Sequence, residues 1–219
     1  MNARLRASFV AIGVLAAGPG VSSTLAQERP GLSLAVSGSW FDAGTKTHEA
    51  VAKLKGIGVG GEGELTWGPA FLRGNIGWAS LEPDGGPAVD TDYLEAFASL
   101  GAELLPGFTI GAGPHIWRYD RSTGTESWSL WELRGRYEAP IVRSLVGAHV
   151  EVWGGALGGA DGPQPIDNGR GGVAGLSVHP AASRFGARLS YSIDQVLFES
   201  AARRETVERV TLGVTFAYQ

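Results

Sequence analysis

Apolar and polar positions alternate with a period of two through most of this chain, the pattern of strands whose two faces meet different surroundings. Residues 93–104 are the clearest case. Leu94, Ala96, Ala98, Leu100, Ala102 and Leu104 fall on one face, and Tyr93, Glu95, Phe97, Ser99, Gly101 and Glu103 on the other. Residues 210–218 set Val210, Leu212, Val214, Phe216 and Tyr218 against Thr211, Gly213, Thr215 and Ala217. Residues 184–193 do the same with Phe185, Ala187, Leu189, Tyr191 and Ile193. The pattern predicts ten strands, at about 31–41, 53–67, 70–81, 92–105, 108–119, 127–138, 144–156, 171–179, 184–195 and 206–218. Eight strands is the alternative, if 53–60 or 171–179 belong to loops.

The connections suggest how these strands are joined. Tight turns are expected at Trp67-Gly68-Pro69-Ala70, Leu105-Pro106-Gly107-Phe108, Ala139-Pro140 to Arg143, and Pro180-Ala181-Ala182-Ser183. Longer polar segments fall between them, at 42–52, 82–91, 120–126, 157–170 and 196–205. Short and long connections in alternation predict an up-and-down antiparallel meander closed into a transmembrane β-barrel. A soluble β-sandwich also alternates, but its strands are shorter. The alternations here run about 10–13 residues, near the ~9–11 that cross a bilayer at a tilt and beyond the ~5–6 of a soluble strand. The outward face also carries aromatics near both ends: Trp67, Phe108 and Tyr218 toward the tight turns, and Trp40, Trp78 and Trp131 toward the longer loops. Two such girdles mark the two membrane interfaces of a barrel.

By the same parity the inward face carries Glu62, Glu64, Arg73, Asn75, Glu95, Glu103, Glu132, Arg134, Arg136, Glu138, Glu151, Arg184, Arg188, Asp194 and Arg209, with His115 and His149. Six arginines face eight carboxylates in that set. One reading is a charged channel. The other is a lumen filled by interlocking Arg–carboxylate pairs, which a small barrel is narrow enough to hold and which buried charges require. Fork-shaped guanidinium groups suit the second. The two histidines fit as members of this network, since neither has another His near it in sequence; no metal or cofactor is expected.

Composition narrows the field. The chain of 219 residues has 34 Gly, roughly twice the average share, which disfavours a helical bundle. With no Cys there is no disulfide framework, thiolate metal site, thiol nucleophile or lipid-anchor Cys. No basic run suggests nucleic acid. Residues 1–26 read as a signal peptide: Arg4 and Arg6, an apolar stretch at 7–18, then Thr24-Leu25-Ala26 before Gln27. The apolar stretch is shorter than the ~20 residues of a spanning helix. Export would leave residues 27–219 as the barrel domain, and losing two arginines takes the formal charge from −4 to −6.

Over that length the chain resembles bacterial outer-membrane β-barrel proteins, through the signal peptide, the alternation and the aromatic-ended last strand VTLGVTFAYQ. The resemblance implies an outer-membrane location in a diderm bacterium, with outer-membrane lipid and lipopolysaccharide around it. It also implies insertion by the barrel-assembly machinery, although the family usually ends on an aromatic residue and here Gln219 follows Tyr218. A monomer is expected.

A narrower resemblance is to omptins, ten-stranded outer-membrane proteases with an acidic pair in the second extracellular loop. Val89-Asp90-Thr91-Asp92-Tyr93 is similar to that setting, which implies Asp90 and Asp92 as catalytic carboxylates acting on water. The chain departs from the pattern in the fourth loop, where 157–170 holds Asp161 and Asp167 but no His, and it is shorter than omptins. Other hydrolase signatures are missing: no G-x-S-x-G, no H-E-x-x-H and no His-x-Ser. Three functions stay open: a non-enzymatic barrel with a charge-plugged lumen acting as a structural or loop-interaction protein, a narrow porin-like channel, and a loop-borne hydrolase.

Overall fold

The alternating segments form ten strands: β1 (Gly31–Thr47), β2 (Val51–Trp67), β3 (Ala70–Gly85), β4 (Thr91–Leu105), β5 (Phe108–Arg121), β6 (Gly124–Val142), β7 (Val146–Asp161), β8 (Ile166–Val178), β9 (Phe185–Phe198) and β10 (Arg203–Tyr218). The computed structural model describes residues 30–142, 145–161, 165–180, 183–198 and 202–218, the side chains of 156, 157, 160 and 161 excepted. The expected signal peptide, Gln27 and Gln219 lie outside the described residues. Each strand pairs antiparallel with its chain neighbours, and β1 pairs with β10, so the sheet closes. The fold is therefore all-β, an up-and-down barrel of ten strands, and the eight-stranded alternative falls away.

Connections at the near rim, where β1 begins and β10 ends, are 68–69, 106–107, 143–145 and 179–184. Gly68 and Gly107 take positive φ of 56° and 77° there, the geometry that closes a two-residue hairpin. At the far rim the expected long loops are absent. Its connections are only 48–50, 86–90, 122–123, 162–165 and 199–202, because the strands run on into those segments. β6 has 19 residues, far more than the ~9–11 of a membrane span.

In the extension the apolar set changes faces, and at that level the β6–β7 pairing shifts register between Trp131 and Glu132. In β6, Trp131 and Leu133 face outward with Glu132 and Arg134 inside; earlier in the strand Trp128 and Leu130 face inward. In β1, Val36 and Trp40 face outward, followed by Phe41 and Ala43 inside and Asp42 outside. The physical reason is the solvent. Between the aromatic levels the wall meets apolar surroundings and polar groups go inside. Beyond Trp40 the outer wall is polar and the apolar side chains must pack within.

The barrel thus has two interiors. The far third is a hydrophobic core of Phe41, Leu54, Leu81, Tyr93, Trp117 and Tyr119, closed by Trp128, Leu130, Trp153, Val196, Phe198 and Val207. The middle holds buried charges, including Arg73, Glu95, Glu132, Arg134, Glu151 and Asp194. The aromatics expected as girdles, Trp40, Trp67, Trp78, Phe108, Trp131 and Tyr218, lie on the outer wall, Trp40 being the most exposed at 72%.

Candidate functional site

The inward parity of eight strands brings the middle charges together. Glu95 on β4 is the hub, 1% exposed. Its carboxylate accepts from the Tyr93 hydroxyl at 2.7 Å, from His115 Nε2 at 2.8 Å and from the Arg209 guanidinium of β10, across the lumen. Arg209 also donates to Asp194 at 2.7 Å and Ser192 at 3.1 Å. His115 Nδ1 stands 2.9 Å from Glu132, which also receives Arg134. Arg134 donates to Glu151 at 2.5 Å, Glu151 accepts from Arg73 at 3.2 Å, and Arg73 donates to Glu64 at 2.5 Å. One unbroken chain of charge-assisted bonds therefore runs from Asp194 to Glu64. Its links cross from β10 to β4 and from β7 to β3, so it ties opposite walls together.

A second group lies toward the near rim. Arg188 donates to Glu62 at 3.2 Å and to His149 Nε2 at 2.9 Å, while Arg136 bonds Glu138 and lies 3.8 Å from Glu62. Two residues expected in the network stand apart from it. Glu103 is exposed and accepts from the Gly107 backbone N–H at 2.8 Å, tying down the β4–β5 turn. Arg184 precedes β9 and stacks on the Tyr218 ring at 5.5 Å. Both sit where the alternation runs into a turn, and parity fixes no direction there.

Above the charges an aromatic chain crosses the lumen. Phe41 meets Tyr93 edge-on at 5.5 Å, Tyr93 meets Tyr119 at 5.0 Å, Tyr119 stacks on Trp128 at 4.9 Å, and Trp128 meets Phe198 at 5.3 Å. These rings come from β1, β4, β5, β6 and β9, and edge-to-face and offset contacts of this kind add to the burial itself. Trp153 joins the two layers by donating its indole N–H to Asp194 at 2.7 Å. None of these rings is in the expected lumen set. The signal for them is the reversal of apolar phase near the far end of each strand.

Space remains along one wall. A cavity of about 120 Å³ lies between the charge network and the small side chains Ser37, Ser39, Ser190, Ser192 and Thr211. Of the hydrophobic layer only Phe41 reaches its lining. A cavity of about 200 Å³ nearer the near rim shares Glu62, Arg136 and Arg188 with it.

At the far rim Arg203 forks onto both Glu126 oxygens, at 2.5 and 2.8 Å from opposite sides of the barrel, and onto Glu205 at 2.6 Å. Burial pushes the Glu126 carboxyl up, but the Arg203 and Arg121 guanidinium groups outweigh it and leave it below the usual carboxylate range. Asp120, on the outside, is held low by hydrogen bonds from Arg118 and Thr125. The acidic pair of the omptin-like segment does not meet in a cleft. Asp90 lies in the 86–90 connection, and Asp92 faces outward from β4 opposite Ser80 and Asp120, with Tyr93 turned inside. A side chain two residues from Asp92 could share its face only if the strand began earlier than Thr91.

No family model matches the sequence, and no curated protein matches it. Solved structures do match. The outer membrane protease OmpT from Escherichia coli aligns with a TM-score of 0.51 at 9% identity, over 88% of this chain and 98% of that one. The β-domain of the Bordetella autotransporter BrkA aligns at 0.43 and 12%, over 87% and 100%. The translocator domain of the autotransporter NalP from Neisseria meningitidis aligns at 0.40 and 12%, over 85% and 88%. The fold is that of bacterial outer-membrane β-barrels.

Proposed function

We propose that this protein is an integral outer-membrane barrel with a closed lumen, acting as a structural or surface-interaction protein rather than as a pore or an enzyme. The observation that carries this reading is the double closure. An aromatic chain from Phe41 to Phe198 spans the lumen above a charge network from Asp194 to Glu64. Buried charges so fully paired are expensive to separate, and the aromatic layer excludes water by packing. The near rim then faces the periplasm and the far rim the exterior. The barrel enters the membrane through its assembly machinery after a signal peptide is removed, and it works as a monomer. Polar outer walls beyond Trp40, not long loops, form the surface offered to partners.

The test is planar-bilayer recording of the refolded chain beside its gel mobility with and without boiling. A heat-modifiable band and no steady current are expected. A large, stable conductance would replace this reading with that of a narrow channel, whose support is the Ser-lined cavity beside the network.

A further inference from the structure

Charge pairing fills the lumen unevenly. On the inside of β1, β9 and β10 the chain places the small side chains Ser37, Ser39, Ser190, Ser192 and Thr211, so that wall is left unfilled. The cavity of about 120 Å³ beside them ends at Phe41, where the aromatic layer begins. Toward the near rim it shares Ala35, Thr215, Glu62, Arg136 and Arg188 with the cavity of about 200 Å³. That lower cavity reaches Glu138 and His179, both exposed at the near rim. The shared lining makes the two one blind pocket, with its mouth at the near rim and its ceiling at Phe41.

The charges in this pocket are already matched. Five arginines and six carboxylates line it. Each of those carboxylates accepts a hydrogen bond from one of those arginines. An added anion would meet a surplus carboxylate, and an added cation would meet carboxylates already bonded. His149 enters in its neutral form, because its Nε2 accepts from Arg188, which can only donate. His179 stands at the mouth, 3.2 Å from the Thr215 hydroxyl.

The spare hydrogen-bonding capacity sits on neutral groups and on one guanidinium. The hydroxyls of Ser33, Ser37, Ser177 and Ser190 line the pocket and bond nothing among the described residues, and neither does the Asn75 amide. Arg136, which lines both cavities, donates a single hydrogen bond, to Glu138. Its Nη1 stands 3.8 Å from Glu62, and its Nε has no acceptor. A hydroxyl both donates and accepts, an amide does so through separate atoms, and a guanidinium only donates. A ligand that answers all three carries several hydroxyls and no charge. Size agrees: a cavity of about 150 Å³ binds benzene, with roughly six non-hydrogen atoms, so this pocket holds about a dozen.

We propose that the near half of the lumen is a blind binding pocket for a small uncharged polyol, which enters at the near rim and is held by Arg136, Asn75 and the unpaired serine hydroxyls. The proposal goes beyond the closed-barrel reading, from which it takes only the ceiling at Phe41.

The experiment uses the full chain folded in polyoxyethylene micelles, which carry no sugar headgroup, with the heat-modifiable band confirming the barrel. Xylitol is the probe, and saturation transfer from protein to ligand is followed by NMR. Binding in the millimolar range is expected for about ten non-hydrogen atoms. Ser37→Val with Ser190→Val should weaken it at least ten-fold, at about five-fold per hydrogen bond lost. Arg136→Gln should weaken it about five-fold. Ser190→Ala, which removes one hydroxyl and adds no bulk, should also weaken binding and serves if the valine pair does not fold. Lys55→Ala, on the outer wall, should leave it unchanged. Sodium acetate and methylammonium chloride should not compete. Absence of saturation transfer from the folded chain would mean that the pocket holds water only, and would overturn the proposal while leaving the closed barrel standing. Equal competition by either ion, or full binding by the Ser37, Ser190 and Arg136 variants, overturns it as well. A steady bilayer current from the wild type would remove the ceiling, and with it both the blind pocket and the closed lumen.

Discussion

His115 and Trp117 stack with ring centroids 3.6 Å apart, a contact that, with the Trp153–Asp194 hydrogen bond, joins the two interiors of the barrel. Both side chains point inward from β5. His115 is committed on its edges to Glu95 and Glu132, and Trp117 lends its face to the ring while packing toward Trp153 at 5.8 Å. A stacked, bonded His beneath a buried Trp leaves no room for water between the two rings, and the open space beside the charges lies along the Ser-lined wall instead.

Removing Trp117 should therefore cost more than its own burial. Trp117→Ala is expected to destabilise the barrel by about 3–5 kcal/mol, the range for large aromatic truncations in a packed core. Trp117→Phe should cost clearly less, because a ring remains to cover His115. Urea unfolding followed by band mobility on unboiled gels measures both. Equal losses would show that the far layer does not pack as a unit.

A second prediction concerns which way each residue of β4 points. Leu100 is 60% exposed on the outer wall and Ser99 is 3% exposed inside. Leu100→Arg places a cation against lipid near mid-strand and should cost ~2–4 kcal/mol. Ser99→Arg meets Phe71 and the Gly111 backbone region instead, so it should fail through crowding and a surplus cation, and in detergent as much as in lipid. The lipid dependence of Leu100→Arg alone is the discriminating result.

Most of the membrane-spanning barrel was legible in the sequence because one period with one phase describes it. The phase picks out Arg73, Glu95, Arg134, Glu151 and Arg188 as inward without any knowledge of their partners. The partners themselves were not legible. That Arg209 reaches Glu95, 114 positions away, depends on barrel closure and on which strands face each other. The far layer was missed for a different reason. At Phe41, Trp117 and Trp128 the apolar set switches faces while the strand continues, so a single-phase reading ends the strand there and assigns the remainder to loops. Composition cannot show that switch; the outward polar residues Asp42, Arg118 and Ser129 between inward apolar neighbours can.

The far-rim clamp gives a pH dependence with a definite sign. Glu126 is held below the usual carboxylate range, so its pairing with Arg203 stabilises the fold fully above the unfolded value of ~4.3 and is lost as pH falls through the lower folded value. At pH 7, Glu126→Gln should cost about 1–2 kcal/mol, the scale of a charge-assisted bond in a half-enclosed site. The gap between wild type and variant should stay constant from pH 7 to about pH 5 and narrow below pH 4. Thermal unfolding in micelles across that range checks it; a gap that widened on acidification would mean that Glu126 is not the group held ionised.

The last prediction separates the two closures by conduction. Arg134→Ala with Arg188→Ala removes one guanidinium partner each from Glu151 and Glu62, leaving only Arg73 and the more distant Arg136 beside them. Those carboxylates escape the burial penalty by taking up water, so the middle of the lumen should hydrate and the protein should lose stability. Current should nevertheless stay at zero, because the aromatic chain lies beyond the network and does not depend on either arginine. Adding Tyr93→Ala and Tyr119→Ala removes the two central rings of that chain, whose contacts at 5.5, 5.0 and 4.9 Å hold Phe41 and Trp128 in place. The quadruple variant should conduct, and it should prefer cations because carboxylates then outnumber arginines along the path. Bilayer recordings of wild type, double and quadruple variants, each first shown to migrate as a folded band, decide the matter. Steady current from the double variant would make the charge network the barrier and reduce the aromatic layer to packing.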